Sequence, residues 1–155
     1  MRRRGFTLIE MMVVLAIMGI LAAAAQPLLV MSMRRLHETE LRQALRTLRG
    51  GIDAYKRAAD AGQVASPADG NGYPPNLQAL VAGVNDVRSP NGRKIYFLRS
   101  IPRDPLADAT LPAAETWALR ASDSAPDDPR PGRDVFDVHS MSNGRALDGS
   151  NYKDW

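Results

Sequence analysis

The chain has 155 residues, which leaves room for one domain of ordinary size with a core that needs neither disulfides nor metals to fold. It contains no cysteine and only two histidines, His37 and His139, which disfavours thiolate chemistry, disulfides and histidine-rich metal sites. The net charge of +3 comes from Arg2, Arg3 and Arg4, because the remaining basic and acidic residues are equal in number, and the sequence therefore predicts no nucleic-acid partner.

The first predicted element is an apolar helix long enough to cross a lipid bilayer. Residues 11–33 carry no charge, and about 20 predominantly apolar residues suffice to span the hydrocarbon core as a helix. The arginines in front of this segment place its N-terminal side in the cytoplasm under the positive-inside rule, although Arg34 and Arg35 behind it weaken the bias. The bulk of the chain is then expected on the other side of the membrane.

Glu10 sets this apolar segment apart from a plain anchor. A carboxylate at mid-membrane costs about 2.5–3.5 kcal/mol, and less near the headgroups. No Lys or Arg lies between Gly5 and Arg34, so the partner has to come from another chain or from an amino group created by processing. An ordinary signal peptide cleaved before Gln26, with a soluble periplasmic domain behind it, is the alternative, but it leaves Glu10 unexplained.

The six residues from Gly5 to Glu10, GFTLIE, follow a short basic leader. This arrangement resembles the N-terminal signal of type IV pilins and type II secretion pseudopilins. The resemblance implies that a prepilin peptidase cuts between Gly5 and Phe6 and methylates the new N-terminus. It also implies that the Glu10 carboxylate pairs with the N-terminal amine of a neighbouring subunit and sets the registry between subunits. Pro27 corresponds to the proline at which the family's first helix bends on assembly.

Beyond Arg34 the apolar residues recur at the spacing of one helix face. These residues are Leu36, Leu41, Leu45, Leu48, Ile52, Tyr55 and Ala59. The spacing predicts that the first helix continues from Phe6 to about Ala59, with Pro27 and the Gly50–Gly51 pair as weak points and Gly62 as the stop signal. We expect this apolar stripe to pack against the domain's own sheet.

The remainder of the chain predicts a small α+β domain. Residues 63–76 form a loop by composition, and Asn76 is placed to cap a short helix. Three short strands are predicted at residues 94–98, 116–120 and 134–139, with loops rich in proline and acid between them. The predicted fold class is a pilin-like α+β arrangement, in which one long N-terminal helix packs on a small antiparallel sheet.

The C-terminal part of the chain resembles the major pseudopilin of the type II secretion system. The segments that carry this resemblance are, in order, Tyr73-Pro74, residues 77–81, residues 101–105, residues 134–136 and Asp154-Trp155. Many type IV pilins close their C-terminal region with a disulfide, so the lack of cysteine favours a pseudopilin. A type IV pilin and a minor pseudopilin stay as alternatives within the superfamily.

The resemblance implies three segments and a set of partners. Residues 1–5 are the leader, residues 6–33 the transmembrane and filament-core helix, and residues 34–155 the periplasmic domain. The protein is expected in the inner membrane as a single-pass subunit, with minor pseudopilins, prepilin peptidase, an assembly platform and lipid as partners. It would form a homopolymer that drives protein export across the outer membrane. No catalytic residue is predicted, since the sequence carries no phosphate-binding glycine motif or nucleophile elbow.

The sequence allows two alternative structures for the final loop, one with a calcium ion and one without a metal. Typical major pseudopilins bind calcium there through an acidic loop, but Asn143 stands where the family has an aspartate, and of a later pair of acids only Asp148 remains, followed by Ser150. Calcium takes six to eight oxygen ligands, so Asp148 with Asn143 and Ser150 predicts a weak site. Alternatively, Asx turns and the packing of Tyr152 and Trp155 on the sheet hold the loop without a metal.

Overall fold

The computed structural model describes residues 6–65 and 70–155, so Gly5 and the rest of the leader, residues 1–5, lie outside the described residues. The chain divides into two units, of which the first ends at Leu36 and the second runs from His37 to Trp155. The elements are α1 (Leu8–Asp60), α2 (Gln78–Ala82), β1 (Val84–Asn85), β2 (Lys94–Ile95), β3 (Trp117–Arg120) and β4 (Asp137–Ser140), with 3₁₀ turns at Ala113–Thr116 and Tyr152–Asp154. This is the α+β, pilin-like arrangement that the sequence predicted.

The long helix α1 agrees with its predicted bounds to within two residues at each end. It stays helical through Pro27 and through the glycine pair at 50 and 51, so a bend at Pro27 on assembly stays a prediction. Gly62 ends the helix as predicted. Its φ of 68° is a left-handed conformation that glycine adopts without strain, and its amide and that of Gln63 donate to the last carbonyls of the helix.

The core of the second unit is built on the predicted stripe of α1. Leu41, Leu45, Leu48, Ile52 and Tyr55 are all buried, whereas Leu36 is half exposed and belongs to the first unit. They pack with Leu77, Leu80, Trp117, Val135, Val138 and Tyr152 from the rest of the domain. Burial of one leucine or isoleucine side chain stabilises a fold by about 1.5–3 kcal/mol, so this stripe is the main contribution of α1 to the domain.

The strands differ from the prediction in number and extent. In the described part of the chain they form two antiparallel pairs, β1 with β2 and β3 with β4, where the sequence predicted a single sheet of three strands. The predicted strand at 94–98 stops at Ile95, because the amides of Phe97 and Leu98 both donate to the Leu80 carbonyl. The predicted strand at 134–139 begins only at Asp137, since the Val135 amide donates to the Pro74 carbonyl instead.

The short helix α2 follows the predicted capping residue. The Asn76 side chain accepts a hydrogen bond of 2.9 Å from the Ala79 amide, which satisfies one of the helix's free donors. The helix ends at Gly83, whose φ is 75°. β1 begins directly after this glycine and was not predicted, because two residues carry too little alternation to be recognised.

A buried aspartate, Asp104, orders a segment of the second unit that lies outside the strands. Asp104 is only 1% exposed, and its carboxylate accepts hydrogen bonds from the Ser140 hydroxyl at 2.6 Å and from the Leu106 amide at 2.7 Å. Its own amide donates to the Thr116 hydroxyl at 3.1 Å. These bonds fix the proline-rich segment before β3 against the end of β4, so hydrogen bonds from side chains order a loop that no sheet holds.

Substitution of each glycine in the pair at 50 and 51 by alanine is expected to change the stability of the domain in opposite directions. A Cβ on Gly51 would lie 2.8 Å from Leu98 Cγ, whereas a Cβ on Gly50 would meet no atom within 4 Å. We expect Gly50→Ala to stabilise the domain by about 0.5–1 kcal/mol through helix propensity. We expect Gly51→Ala to destabilise it by about 1–3 kcal/mol through overpacking.

The measurement is denaturant unfolding of both variants beside the parent chain, in the same detergent and followed by circular dichroism. Equal stability of the two variants would contradict the role assigned to Gly51 as the point of close approach between α1 and Leu98.

Candidate functional site

The N-terminal end of α1 is capped by Thr7. The Glu10 amide donates to the Thr7 hydroxyl at 3.3 Å, and the Met11 amide donates to the Thr7 carbonyl at 3.2 Å. Thr7 and Glu10 thus have the spacing of a capping box, and a carboxylate in the first turn interacts favourably with the helix dipole. This role of Thr7 was not predicted, although the Thr-x-x-Glu pattern preceding an apolar run signals it. Glu10 therefore lies at the end of the helix, not at its middle.

The helical segment of the first unit exposes apolar side chains all around its surface. Every described residue from Phe6 to Leu36 is exposed, Pro27 included, and the large apolar side chains of this segment range from 44% exposure at Val14 to 80% at Leu8. By length and composition this part of α1 can cross a membrane. A helix that is apolar all around needs lipid or other apolar helices around it, and residues 6–65 and 70–155 leave this segment uncovered.

The C-terminal loop, residues 141–155, is the second place where sequence-predicted residues gather. Asp148 Oδ1 accepts hydrogen bonds from the Ser150 amide at 2.9 Å and from the Ser150 hydroxyl at 2.6 Å, which is an Asx turn. Tyr152 is buried, and its ring meets that of Trp155 edge to face at 5.2 Å between centroids. Asn143, the third predicted calcium ligand, is exposed in the same loop. The loop thus has the Asx turn and the aromatic packing of the metal-free alternative.

Glu38 on α1 binds the C-terminal loop through its side-chain carboxylate. Its side chain is buried, and Oε1 accepts hydrogen bonds from the Leu147 amide at 2.8 Å and from the Tyr152 hydroxyl at 3.0 Å. This role of Glu38 was not predicted from the sequence. Its position three residues before Leu41, in line with the apolar stripe, was the available signal, because a carboxylate at a core position requires hydrogen-bond partners.

Arg42, one helical turn after Glu38, reaches the same loop. Its Nη2 lies 3.1 Å from Asp148 Oδ2, and its guanidinium lies 4.0 Å from the centroid of the Trp155 ring. Both charged side chains are about half exposed. The pKa of Asp148 is held below its usual value, first by the hydrogen bonds from Ser150 and then by the Arg42 charge. The carboxylate therefore stays ionised and paired at neutral pH.

Arg49 ties α1 to β4 and to the end of the loop. Its Nε donates to Asp137 Oδ1 at 2.7 Å, and its Nη2 donates to the carbonyls of Val138 at 3.0 Å and Trp155 at 2.6 Å. Charge-assisted bonds of this kind are stronger than neutral ones. Three polar residues on α1, Glu38, Arg42 and Arg49, thus hold strand β4 and the C-terminal loop against one helix.

The donor set around Asp148 does not fit a calcium ion as it stands. Both carboxylate oxygens are engaged, one by Ser150 and the other by Arg42. Across residues 6–65 and 70–155, no group of three or more histidines and carboxylates is placed to hold a metal. Calcium needs six to eight oxygens and gains affinity with each carboxylate. Calcium binding by Asp148, Asn143 and Ser150 stays a prediction, and the geometry argues against it.

His139, which the sequence left without a role, is half-buried on β4 opposite Ala118. Burial lowers the pKa of His139 below 6.5, and the charges of Arg49 and Arg120 act in the same direction. Asp137 and Asp154 oppose the shift. The fold therefore favours the neutral imidazole.

The chain is similar to known proteins both at its N-terminus and over about two thirds of its length. The prokaryotic N-terminal methylation motif matches residues 1–26. Type II secretion system core protein G of Klebsiella pneumoniae is 32% identical over 108 residues, which cover 67% of this chain and 69% of that protein. The protein of the same name in Pseudomonas aeruginosa is 32% identical over 112 residues, which cover 68% and 71%.

A pilin also matches. The type IV major pilin protein PilA of Myxococcus xanthus is 33% identical over 137 residues, which cover 84% of this chain and 57% of that protein. No solved structure matches the chain significantly.

The environment of His139 predicts how the domain's stability depends on pH. Because the folded-state pKa is lowered, this group's contribution is complete above about pH 6.5 and declines as the pH falls towards the folded-state pKa. We expect the melting temperature of the parent chain to decrease between about pH 7 and pH 5, and His139→Gln to flatten that decrease. His37→Gln, which keeps His139, is the matched control. An unchanged slope in His139→Gln would contradict the assignment.

Proposed function

The chain belongs to the family of the type II secretion system core protein G, the major pseudopilins, and from this membership we propose that it is a structural subunit of a type II secretion pseudopilus. In this proposal the subunits polymerise through the N-terminal helix, and growth of the polymer drives protein export across the outer membrane. The observation that carries the proposal is the uncharged helical segment at residues 11–33, whose apolar side chains are exposed all around.

This segment needs one apolar environment before assembly and another after it. In the membrane, lipid covers the side chains of residues 6–33. In a filament, the same residues of neighbouring copies replace the lipid, and packing between helices stabilises the contact. One patch meeting a different patch on the next copy, without closing a ring, produces a helical fibre. In this proposal, residues 6–33 supply the apolar contact between copies, and the periplasmic domain does not have to supply another.

The proposed topology follows from the same segment. Residues 1–5 are the leader, residues 6–33 cross the inner membrane with the N-terminus in the cytoplasm, and residues 34–155 form the periplasmic domain. The basic leader supports this orientation. The division of the structure between Leu36 and His37 lies close to the proposed end of the membrane segment and supports the boundary.

Glu10 is proposed to set the register between subunits. Cleavage between Gly5 and Phe6 by prepilin peptidase creates an amine at Phe6, which supplies the positive charge that the apolar segment otherwise lacks. Pairing of this amine with Glu10 of the next copy satisfies both charges inside an apolar filament core. The cap by Thr7 supports the proposal, because it fixes the first turn and leaves the Glu10 side chain exposed. Pro27 is proposed as the bend of the helix on assembly.

The remaining partners follow from the family. We infer that minor pseudopilins, an inner-membrane assembly platform and the lipid bilayer are its partners and that the subunit has no catalytic activity of its own. The match to the Myxococcus pilin spans more of this chain than the matches to core protein G do, and it favours a type IV pilin as the second candidate. The two candidates differ in the assembly machine that polymerises the subunit.

The registry role predicts that Glu10→Ala leaves membrane insertion and cleavage intact and abolishes filaments. The variant leaves an unpaired amine in an apolar core, and removal of one partner of a buried ion pair costs about 3–5 kcal/mol. The measurement is the amount of sheared filament, by immunoblot and electron microscopy, when the subunit is produced with its secretion system.

Thr7→Ala is the matched control, because it removes the cap at a cost of about 0.5–2 kcal/mol and keeps the carboxylate. We expect it to assemble. Normal filaments from Glu10→Ala would refute the registry role. Equal loss of filaments in both variants would indicate that Glu10 acts by capping the helix.

Processing is tested by intact mass and N-terminal peptide mass spectrometry of the membrane-extracted protein. We expect a chain that begins with monomethylated Phe6. Gly5→Leu should leave the full precursor, whereas Ala25→Leu, which blocks an ordinary signal-peptidase site, should leave processing unchanged. A soluble chain that begins at Gln26 would overturn the filament proposal and favour a soluble periplasmic domain.

A further inference from the structure

The resemblance to major pseudopilins implies a calcium ion at the C-terminal loop. Asp148 projects a carboxylate from a loop of small and polar residues, and the loop has to stay closed against α1. A divalent cation would neutralise such a loop and bind its oxygens together. In this structure the cation that meets Asp148 is the guanidinium of Arg42.

Arg42 completes a closed circuit of four side chains. Its Nη2 contacts Asp148 Oδ2 at 3.1 Å, and Asp148 Oδ1 accepts the Ser150 hydroxyl at 2.6 Å. The Ser150 oxygen in turn accepts the Trp155 indole N–H at 2.7 Å, and the Trp155 ring lies under the Arg42 guanidinium. Nη2 of Arg42, the Ser150 hydroxyl and the Trp155 indole N–H each meet an acceptor, and the guanidinium meets both a carboxylate and a π face.

A second anchor on the same helix supports the circuit. Glu38, four residues before Arg42, binds the Leu147 amide and the Tyr152 hydroxyl, and the Tyr152 ring packs against Trp155. Adjacent turns of one helix therefore hold the loop between Leu147 and Trp155.

The pairing of Asp148 with Arg42 disfavours a calcium ion at the same carboxylate. Asp148 is already paired with Arg42, and Asp154, the other aspartate of the loop, accepts a hydrogen bond from the Asn151 side chain. A divalent ion bound to Asp148 would either displace Arg42 from both Asp148 and Trp155, or share the Asp148 carboxylate with it. The ion and the guanidinium would then repel each other, and calcium affinity falls as the number of carboxylate ligands falls.

We propose that Arg42 takes the place of the calcium ion in this chain, so that the C-terminal loop closes and the domain is stable without any divalent cation. Asp148 is then an ion-pair partner and not a metal ligand. The inference concerns the folded domain alone and does not depend on filament assembly.

The test is thermal unfolding of the purified full chain in detergent, with calcium added or with excess EGTA. We expect the melting temperature to be the same in both to within about 1 °C, since a ligand that binds only the folded state would raise it. Arg42→Met, which keeps an unbranched side chain and removes the charge, should lower the melting temperature by about 3–8 °C in either condition. Arg46→Met, at an exposed arginine one turn further along α1, is the matched control and should leave it unchanged.

A double-mutant cycle identifies the partner. Asp148→Asn should lower the melting temperature, and Arg42→Met combined with Asp148→Asn should lower it by less than the sum of the two single changes, because both remove the same pair. A melting temperature that rises with calcium in the parent chain, and no longer rises in Asp148→Asn, would overturn the proposal. Additive losses in the double variant would overturn it as well.

Discussion

The structure depends on a single helix that has to satisfy two different burial requirements. From His37 onward α1 is amphipathic, and one face from Leu41 to Tyr55 is buried in the domain core. Between residues 11 and 33 the helix is uncharged and has apolar side chains on every face, and all of these residues are exposed. The domain can fold around the first kind of surface, but the second kind needs a bilayer or other copies of the chain.

Polar contacts from α1 substitute for an extended sheet in the rest of the domain. The strands are only two to four residues long, and two-stranded pairs of this size are marginal on their own. Glu38, Arg42 and Arg49 fix β4 and the C-terminal loop to the helix, and Asp104 fixes a loop to Ser140. The long helix is therefore both the core and the scaffold on which irregular segments are ordered.

The two parts of α1 suit the proposed transfer of the subunit from a membrane to a filament. The buried core and the contacts of Glu38, Arg42 and Arg49 lie within the unit from His37 to Trp155. The charge at Glu10 lies in the first turn, where the helix dipole stabilises it, and Thr7 caps the same turn through the Glu10 amide.

The sequence by itself determined the features that depend on local pattern. The length of α1, its apolar first half, the stripe from Leu41 to Tyr55 and the stop at Gly62 all follow from periodicity and from the conformational freedom of glycine. Tertiary structure decided the rest, because the deciding partners are distant in sequence. Arg42 and Asp148 are 106 residues apart and Glu38 and Leu147 are 109 apart, so no local pattern could pair them. The strands end where amides find carbonyls outside the sheet, which only the folded chain specifies.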